Sequence, residues 1–196
     1  MKQLKKTILT LVALLAVTTG AWADGIVCTA SDLGKVLCTD GSIYENVSAA
    51  TTAGKTAVAM IAYVDETNKN GLAIQLNASP ASMRWSDAET YASGLTAVPG
   101  GTWRLPSKAD WQNMFVGCAK SGDAGASDEM DPIAGFKEKI GATGITWKSV
   151  FYWSGTTASG SNAWSVGVYL SGSMASAIFA ERGTSNVCSV LGCLAF

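Results

Sequence analysis

The side chains that could do chemistry here are few: five cysteines, one cluster of acids and no histidine at all. The cysteines are Cys28, Cys38, Cys118, Cys188 and Cys193. None of their spacings makes a Cys-x-x-Cys pair, so a thiolate metal site is a weak reading. Cys28 with Cys38, or Cys118 with Cys188 or Cys193, are candidate disulfides. The alternative of equal weight is five small apolar thiols in a core. Five is odd, so at least one thiol stays unpaired within the chain. A cysteine nucleophile needs a base, and the absence of histidine removes the usual one. Histidine triads and histidine zinc sites are excluded outright. No Gly-x-Ser-x-Gly, P-loop or His-Glu-x-x-His is present, so the sequence argues against an enzyme. No cofactor is implied.

The acids gather between 121 and 131, at Asp123, Asp128, Glu129 and Asp131, in a stretch rich in Gly, Ala and Ser. Clustered carboxylates suit Ca²⁺, but the spacing is not that of a calcium loop, so a solvated loop is the better reading and no metal site is assigned. Asp87 and Glu89 could form a carboxylate pair. They are better explained with Ser86 as a capping box, Ser86 as cap and Glu89 three residues on, starting a helix that ends at Gly94.

The elements that would position these groups follow from local pattern. Val36–Cys38, Asp40-Gly41 and Ile43-Tyr44 predict a hairpin with a favourable turn. Asn46 predicts a cap for a short helix over Val47 to Ala53, ended by Gly54. Two apolar runs, Thr56 to Val64 and Leu72 to Leu76, flank a polar turn and predict a buried strand pair. Trp103-Arg104-Leu105 predicts a short strand that Pro106 stops. Ser107 then caps a helix with Asp110 in its first turn, and Trp111, Phe115 and Cys118 recur on its apolar face. Trp85, Trp103 and Trp111 read as core. Asp131-Pro132 predicts a cap and first helical position for a helix to Ile140, closed by Gly141. Beyond Phe151 the pattern is β. A loop is expected from Gly155 to Ser161, and Trp164, Val166, Val168 and Leu170 form one apolar face. A returning strand spans Ala175 to Ala180, Gly183 to Asn186 turn, and a last strand runs from Val187 to Phe196.

The N-terminus reads as a secretory leader: Lys2, Lys5 and Lys6, an apolar core from Ile8 to Val17, and Ala21-Trp22-Ala23 before a cut at Asp24. The apolar run is too short for a comfortable membrane span, so none is expected in the mature chain. Residues 1–23 are assigned to the signal peptide and 24–196 to a single domain. Losing three lysines with the leader takes the 14 basic residues to 11, against 15 acidic, for a net charge of −4. That balance disfavours nucleic acid as a partner.

Four stretches carry a resemblance: Gly-Thr-Trp-Arg-Leu-Pro-Ser at 101–107, Ala-Asp-Trp at 109–111, Tyr-Trp-Ser-Gly-Thr-Thr at 152–157, and Ala-Trp-Ser-Val at 163–166. In this order the chain resembles secreted bacterial C-type-lectin-like domains. That group holds the formylglycine-generating-enzyme fold, the DUF1566 and major-paralogous-domain proteins, and the variable proteins of diversity-generating retroelements. The last ten residues are similar to the closing strand of such domains. The resemblance implies an α+β, C-type-lectin-like fold with two or three short helices packed on antiparallel sheets and a C-terminal β-meander. The catalytic cysteine pair of formylglycine-generating enzymes is not recognisable, and the Glu-Pro-Asn and Trp-Asn-Asp motifs of calcium-dependent lectins are missing. What remains is an exported ligand-binding or adhesion domain, with a structural or assembly subunit of the cell surface as the alternative. Its ligand would be a glycan or protein. A monomer is favoured. The implied surface is Ser159, Ser161, Asn162, Tyr169, Ser171, Ser173, Glu181, Arg182 and Asn186, small polar groups with one Tyr and one Arg that suit adaptable hydrogen bonding.

Overall fold

The computed structural model describes residues 25–127, 129–172 and 175–196. The expected leader, residues 1–23, and Asp128 and Ser173 therefore lie outside the described residues. Among the described residues the architecture is α+β, with two antiparallel sheets and four α-helices rather than two or three.

Strands β1 (Val36–Cys38) and β2 (Ile43–Tyr44) form the expected hairpin, with Val36 opposite Tyr44. Helix α1 (Val47–Thr52) follows, and the Asn46 side chain accepts from the Ala49 N–H as its cap. Strands β3 (Ala57–Asp65) and β4 (Asn70–Gln75) are the buried pair. Helix α2 spans Trp85–Ser93. Strand β5 (Thr102–Arg104) leads into α3 (Lys108–Gly117). Then come β6 (Asp131–Pro132), α4 (Ala134–Ala142), β7 (Val150–Thr157), β8 (Asn162–Tyr169), β9 (Ser176–Gly183) and β10 (Cys193–Ala195). The first sheet has the order β2-β1-β3-β4-β10-β5 and the second β6-β9-β8-β7.

Four local expectations are corrected. Helix α2 begins at Trp85, with Arg84 at the cap position, so Ser86 and Glu89 are helical residues and form no capping box. The Trp85 indole N–H donates to the Ser154 carbonyl at 2.8 Å, which ties the first turn of α2 to β7. Asp131-Pro132 is not a helix start; it pairs with Ala177 and Ser176 of β9. Helix α4 is capped instead by a distant side chain, since the Asp123 carboxylate accepts from the N–H groups of Ala134 and Gly135. Strand β7 continues to Thr157, well into the expected 155–161 loop. The last strand is three residues long and leaves the meander. β10 lies between β4 and β5 in the other sheet, with Leu194 opposite both Ala73 and Trp103.

The meander itself is β7-β8-β9, and its centre is buried on both faces. Val166 and Val168 are buried, as expected, but so are Ser165 and Gly167 between them. The main core lies where the two sheets meet α3 and α4. Trp111 stacks on Phe115 with centroids 5.7 Å apart, Phe115 meets Phe136 edge-on at 4.9 Å, and Trp147 stands between Phe136 and Tyr152. Such pairs add about 0.5–1.5 kcal/mol each beyond area burial. A second cluster, with Leu37, Ile61, Trp103 and Leu194, fills the other face of the first sheet. A third packs α2 through Ala88 and Ala92 against Leu105, Trp153 and Val190. Trp85, Trp103 and Trp111 are all packed in or against these clusters, as expected of core tryptophans. All five cysteines are buried free thiols.

Candidate functional site

The Trp-Arg-Leu-Pro-Ser junction is built as a clasp. Ser107 accepts from the Asp110 N–H at 3.0 Å, while the Asp110 carboxylate accepts from the Ser107 N–H at 2.6 Å, a reciprocal capping box. Arg104 reaches from the end of β5 and donates to both Asp110 oxygens, the Nη2–Oδ1 bond being 2.9 Å. Burial is the largest influence on the Asp110 carboxyl and would raise its pKa. The hydrogen bonds from Arg104 and Ser107 together outweigh it and hold the group below the usual carboxylate value. The pairing raises Arg104 in turn. This motif therefore holds a strand end to a helix start.

Directly opposed residues of an antiparallel pair share a face, which sorts the expected surface. On β8 and β9, Trp164 lies opposite Glu181 and Val166 opposite Phe179, on the side that faces the main core. Ala163 lies opposite Arg182 and Tyr169 opposite Ser176, on the other side.

Five of the expected residues come together where β8 begins and β9 ends. Ser159 Oγ and Asn162 Nδ2 both donate to one Glu181 oxygen, at 3.1 and 3.4 Å. The Ser161 carbonyl accepts from the Thr184 N–H, and the Asn186 N–H donates to the Gly183 carbonyl. Lys108 of α3 lies over the adjacent Trp164 ring, 3.5 Å from its centroid. Tyr169 and exposed Ser171 sit at the opposite end of the sheet, about 23 Å away at the usual rise per strand residue.

Arg182 is linked to Tyr169 by a residue that the sequence reading passed over. Its guanidinium lies 3.7 Å above the centroid of the Phe151 ring. Phe151 meets Tyr169 edge-on at 6.3 Å. Opposite Phe151 in the ladder is Gly167. A Cβ there would stand 2.8 Å from the Phe151 ring, so glycine lets the ring lie against the strand. A glycine paired with an aromatic in alternating strands was the available signal. Arg182 Nε is buried without a hydrogen-bond partner. Arg182 also lies near Cys188, where burial raises the thiol's pKa and the positive charge opposes that shift.

A separate groove runs between α2 and the β5–α3 junction. It encloses about 510 Å³ and is lined by Glu89, Thr90, Ser93, Arg104, Leu105, Ser107 and Gly155.

Among the described residues, no three His, Cys, Asp or Glu side chains are grouped to hold a metal ion. Asp123 of the 121–131 loop spends its oxygens on the Lys120, Ala134 and Gly135 N–H groups. No helix among the described residues is long and apolar enough to cross a membrane.

No family model matches this chain, and no curated protein does.

Proposed function

We propose that the chain is an exported ligand-binding or adhesion-type domain with a C-type-lectin-like fold, presenting its four-stranded sheet and the adjoining turns to a glycan or protein. The observation that carries this reading is the state of Arg182. Its guanidinium lies over the Phe151 ring. Neighbouring Glu181 is engaged by Ser159 and Asn162. A guanidinium held against a ring loses little rotamer freedom when it binds. Tyr169 on the same face supplies a second rigid anchor, and the Ser159–Asn162–Glu181 knot supplies adaptable polar contacts. The scaffold beneath is a continuous antiparallel ladder from Asn162–Gly183 to Tyr169–Ser176, which suits a surface whose function lies in outward side chains.

The fold part of the reading is supported by the positions of the motifs behind the resemblance. Arg104 and Asp110 join β5 to α3, and Trp111 and Trp153 are fully buried.

The test is a screen of the protein, expressed from its full sequence in a secreting host, on glycan and protein arrays. A specific ligand is expected, with binding lost in Arg182→Ala and Tyr169→Ala. A folded protein whose every ligand ignores both substitutions, or that retains no ligand, would overturn the surface assignment.

A further inference from the structure

The groove beside α2 has a polarity that selects a ligand class, independently of the sheet surface. Its volume, about 510 Å³, falls in the range of roughly 300–1,000 Å³ typical of small-molecule sites. The two walls differ in what they offer. On the β5–α3 wall, Arg104 has a side chain 42% exposed. Asp110 takes one N–H from each terminal nitrogen, leaving the remaining guanidinium N–H groups. The Ser107 hydroxyl accepts from the Asp110 N–H and keeps its own proton to donate. On the α2 wall, the Thr90 and Ser93 hydroxyls donate back to helix carbonyls, Thr90 to Ser86 and Ser93 to Glu89 and Thr90. Their lone pairs are therefore what they present. The exposed Glu89 carboxylate adds acceptors and engages no side-chain partner among the described residues. One wall donates and the other accepts.

Leu105 and Gly155 complete the lining, and a Cβ at Gly155 would stand 2.9 Å from the Leu105 carbonyl oxygen. Charge decides between candidate ligands. The charged side chains that line the groove, Glu89 and Arg104, sum to zero, so a ligand of either charge meets its own sign on one wall. A hydroxyl, in contrast, both donates and accepts and answers both walls.

The geometry points to this groove as a binding site for an uncharged polyol, specifically a neutral sugar, with Glu89 and Arg104 on opposite sides of it. Its polar lining side chains, Glu89, Thr90, Ser93, Arg104 and Ser107, can all act on such a ligand through hydrogen bonds.

The test titrates the full-length protein with neutral methyl glycosides, and with the corresponding uronic acids and amino sugars as charged arms, up to millimolar concentration, followed by heteronuclear NMR. Saturable binding of a neutral glycoside is expected, with shifts at Glu89, Thr90, Ser93, Arg104 and Ser107. The uronic acid should bind about tenfold more weakly, and Glu89→Gln should weaken the neutral glycoside by a similar factor, the loss of one hydrogen bond to a charged group. Ser93→Ala should weaken it too, and Arg182→Ala should leave it unchanged. No saturable binding in any arm would overturn the proposal, as would tighter binding of either charged arm or insensitivity to Glu89→Gln. Shifts confined to 159–162 and 181–186 would overturn it while leaving the sheet-surface reading standing.

Discussion

Arg104, the last residue of β5, grips both carboxylate oxygens of Asp110 in the first turn of α3. The same carboxylate completes the capping box with Ser107, so one side chain holds the strand end, the helix start and the Pro106 corner between them. Asp110→Ala removes all three contacts and leaves Arg104 without its partner. The expected loss is about 2–3 kcal/mol, moderated because Arg104 is partly exposed. Urea unfolding measures it, and Asp110→Glu, which cannot reproduce the short clasp, should recover only part. A loss below about 0.5 kcal/mol would mean that the clasp is ornamental, since that is the scale of ordinary surface substitutions.

Stability should be flat from pH 5 to 8, because the chain has no histidine to titrate there. Below that range it should fall. Asp32, Asp40, Asp65 and Asp110 are all held below the usual carboxylate value in the folded chain. A depressed folded pKa means that the unfolded chain binds protons first as pH drops. The stabilisation is whole above the unfolded value, near pH 4, and is lost progressively beneath it. For Asp110 the hydrogen bonds from Arg104 and Ser107 outweigh burial, so Asp110→Asn should flatten part of the acid limb in chemical unfolding followed against pH.

Burial protects the five thiols. It pushes Cys28 and Cys118 up to about 12 and raises Cys38, Cys188 and Cys193 as well. A thiolate is the reactive form, so the native protein should resist alkylation at pH 8 and label at all five cysteines once denatured. Mass spectrometry of the labelled chain counts them. Rapid native labelling, or fewer than five labels in denaturant without reductant, would contradict the free, buried arrangement.

Gly167 should matter to binding through Phe151. In Gly167→Ala the new methyl meets the ring that supports Arg182. The expected cost is about 1–2 kcal/mol of stability from overpacking, together with weaker ligand binding, whereas Gly141→Ala in α4 has open space beside its Cβ at an ordinary helical φ and should leave both the fold and the Arg182 contact intact. Comparing the two variants by thermal melts and by array binding separates a local change at Phe151 from a general loss of fold.

The sequence was readable wherever the deciding contact is close in the chain. Asp40-Gly41 gives its hairpin, and Asn46 and Ser107 their helix caps. It misled where a distant group decides. Asp131-Pro132 has the local chemistry of a helix start, but β9 claims it as a strand and Asp123 caps α4 in its place. Ser86 has the chemistry of a cap, but the Trp85 indole bonds to Ser154 and Trp85 opens the helix. The C-terminal residues read as β, yet nothing local says that Cys193–Ala195 closes the gap between β4 and β5. The expected surface shows the same division. Ser159 and Asn162 flank the turn into β8, but Glu181 reaches them from β9, 22 and 19 residues away. The link between Tyr169 and Arg182 runs through Phe151, visible only once β7, β8 and β9 are in register.

The central claim is that ligand meets the two ends of the four-stranded sheet, around Arg182 and Tyr169, and the adjoining turns. Hydrogen exchange of the full chain, with and without its strongest array ligand, tests this most directly. The account predicts added protection at 159–162, 169–172 and 180–186, with α1 and β3 unchanged. Protection that spares those segments and falls elsewhere on the chain would contradict it.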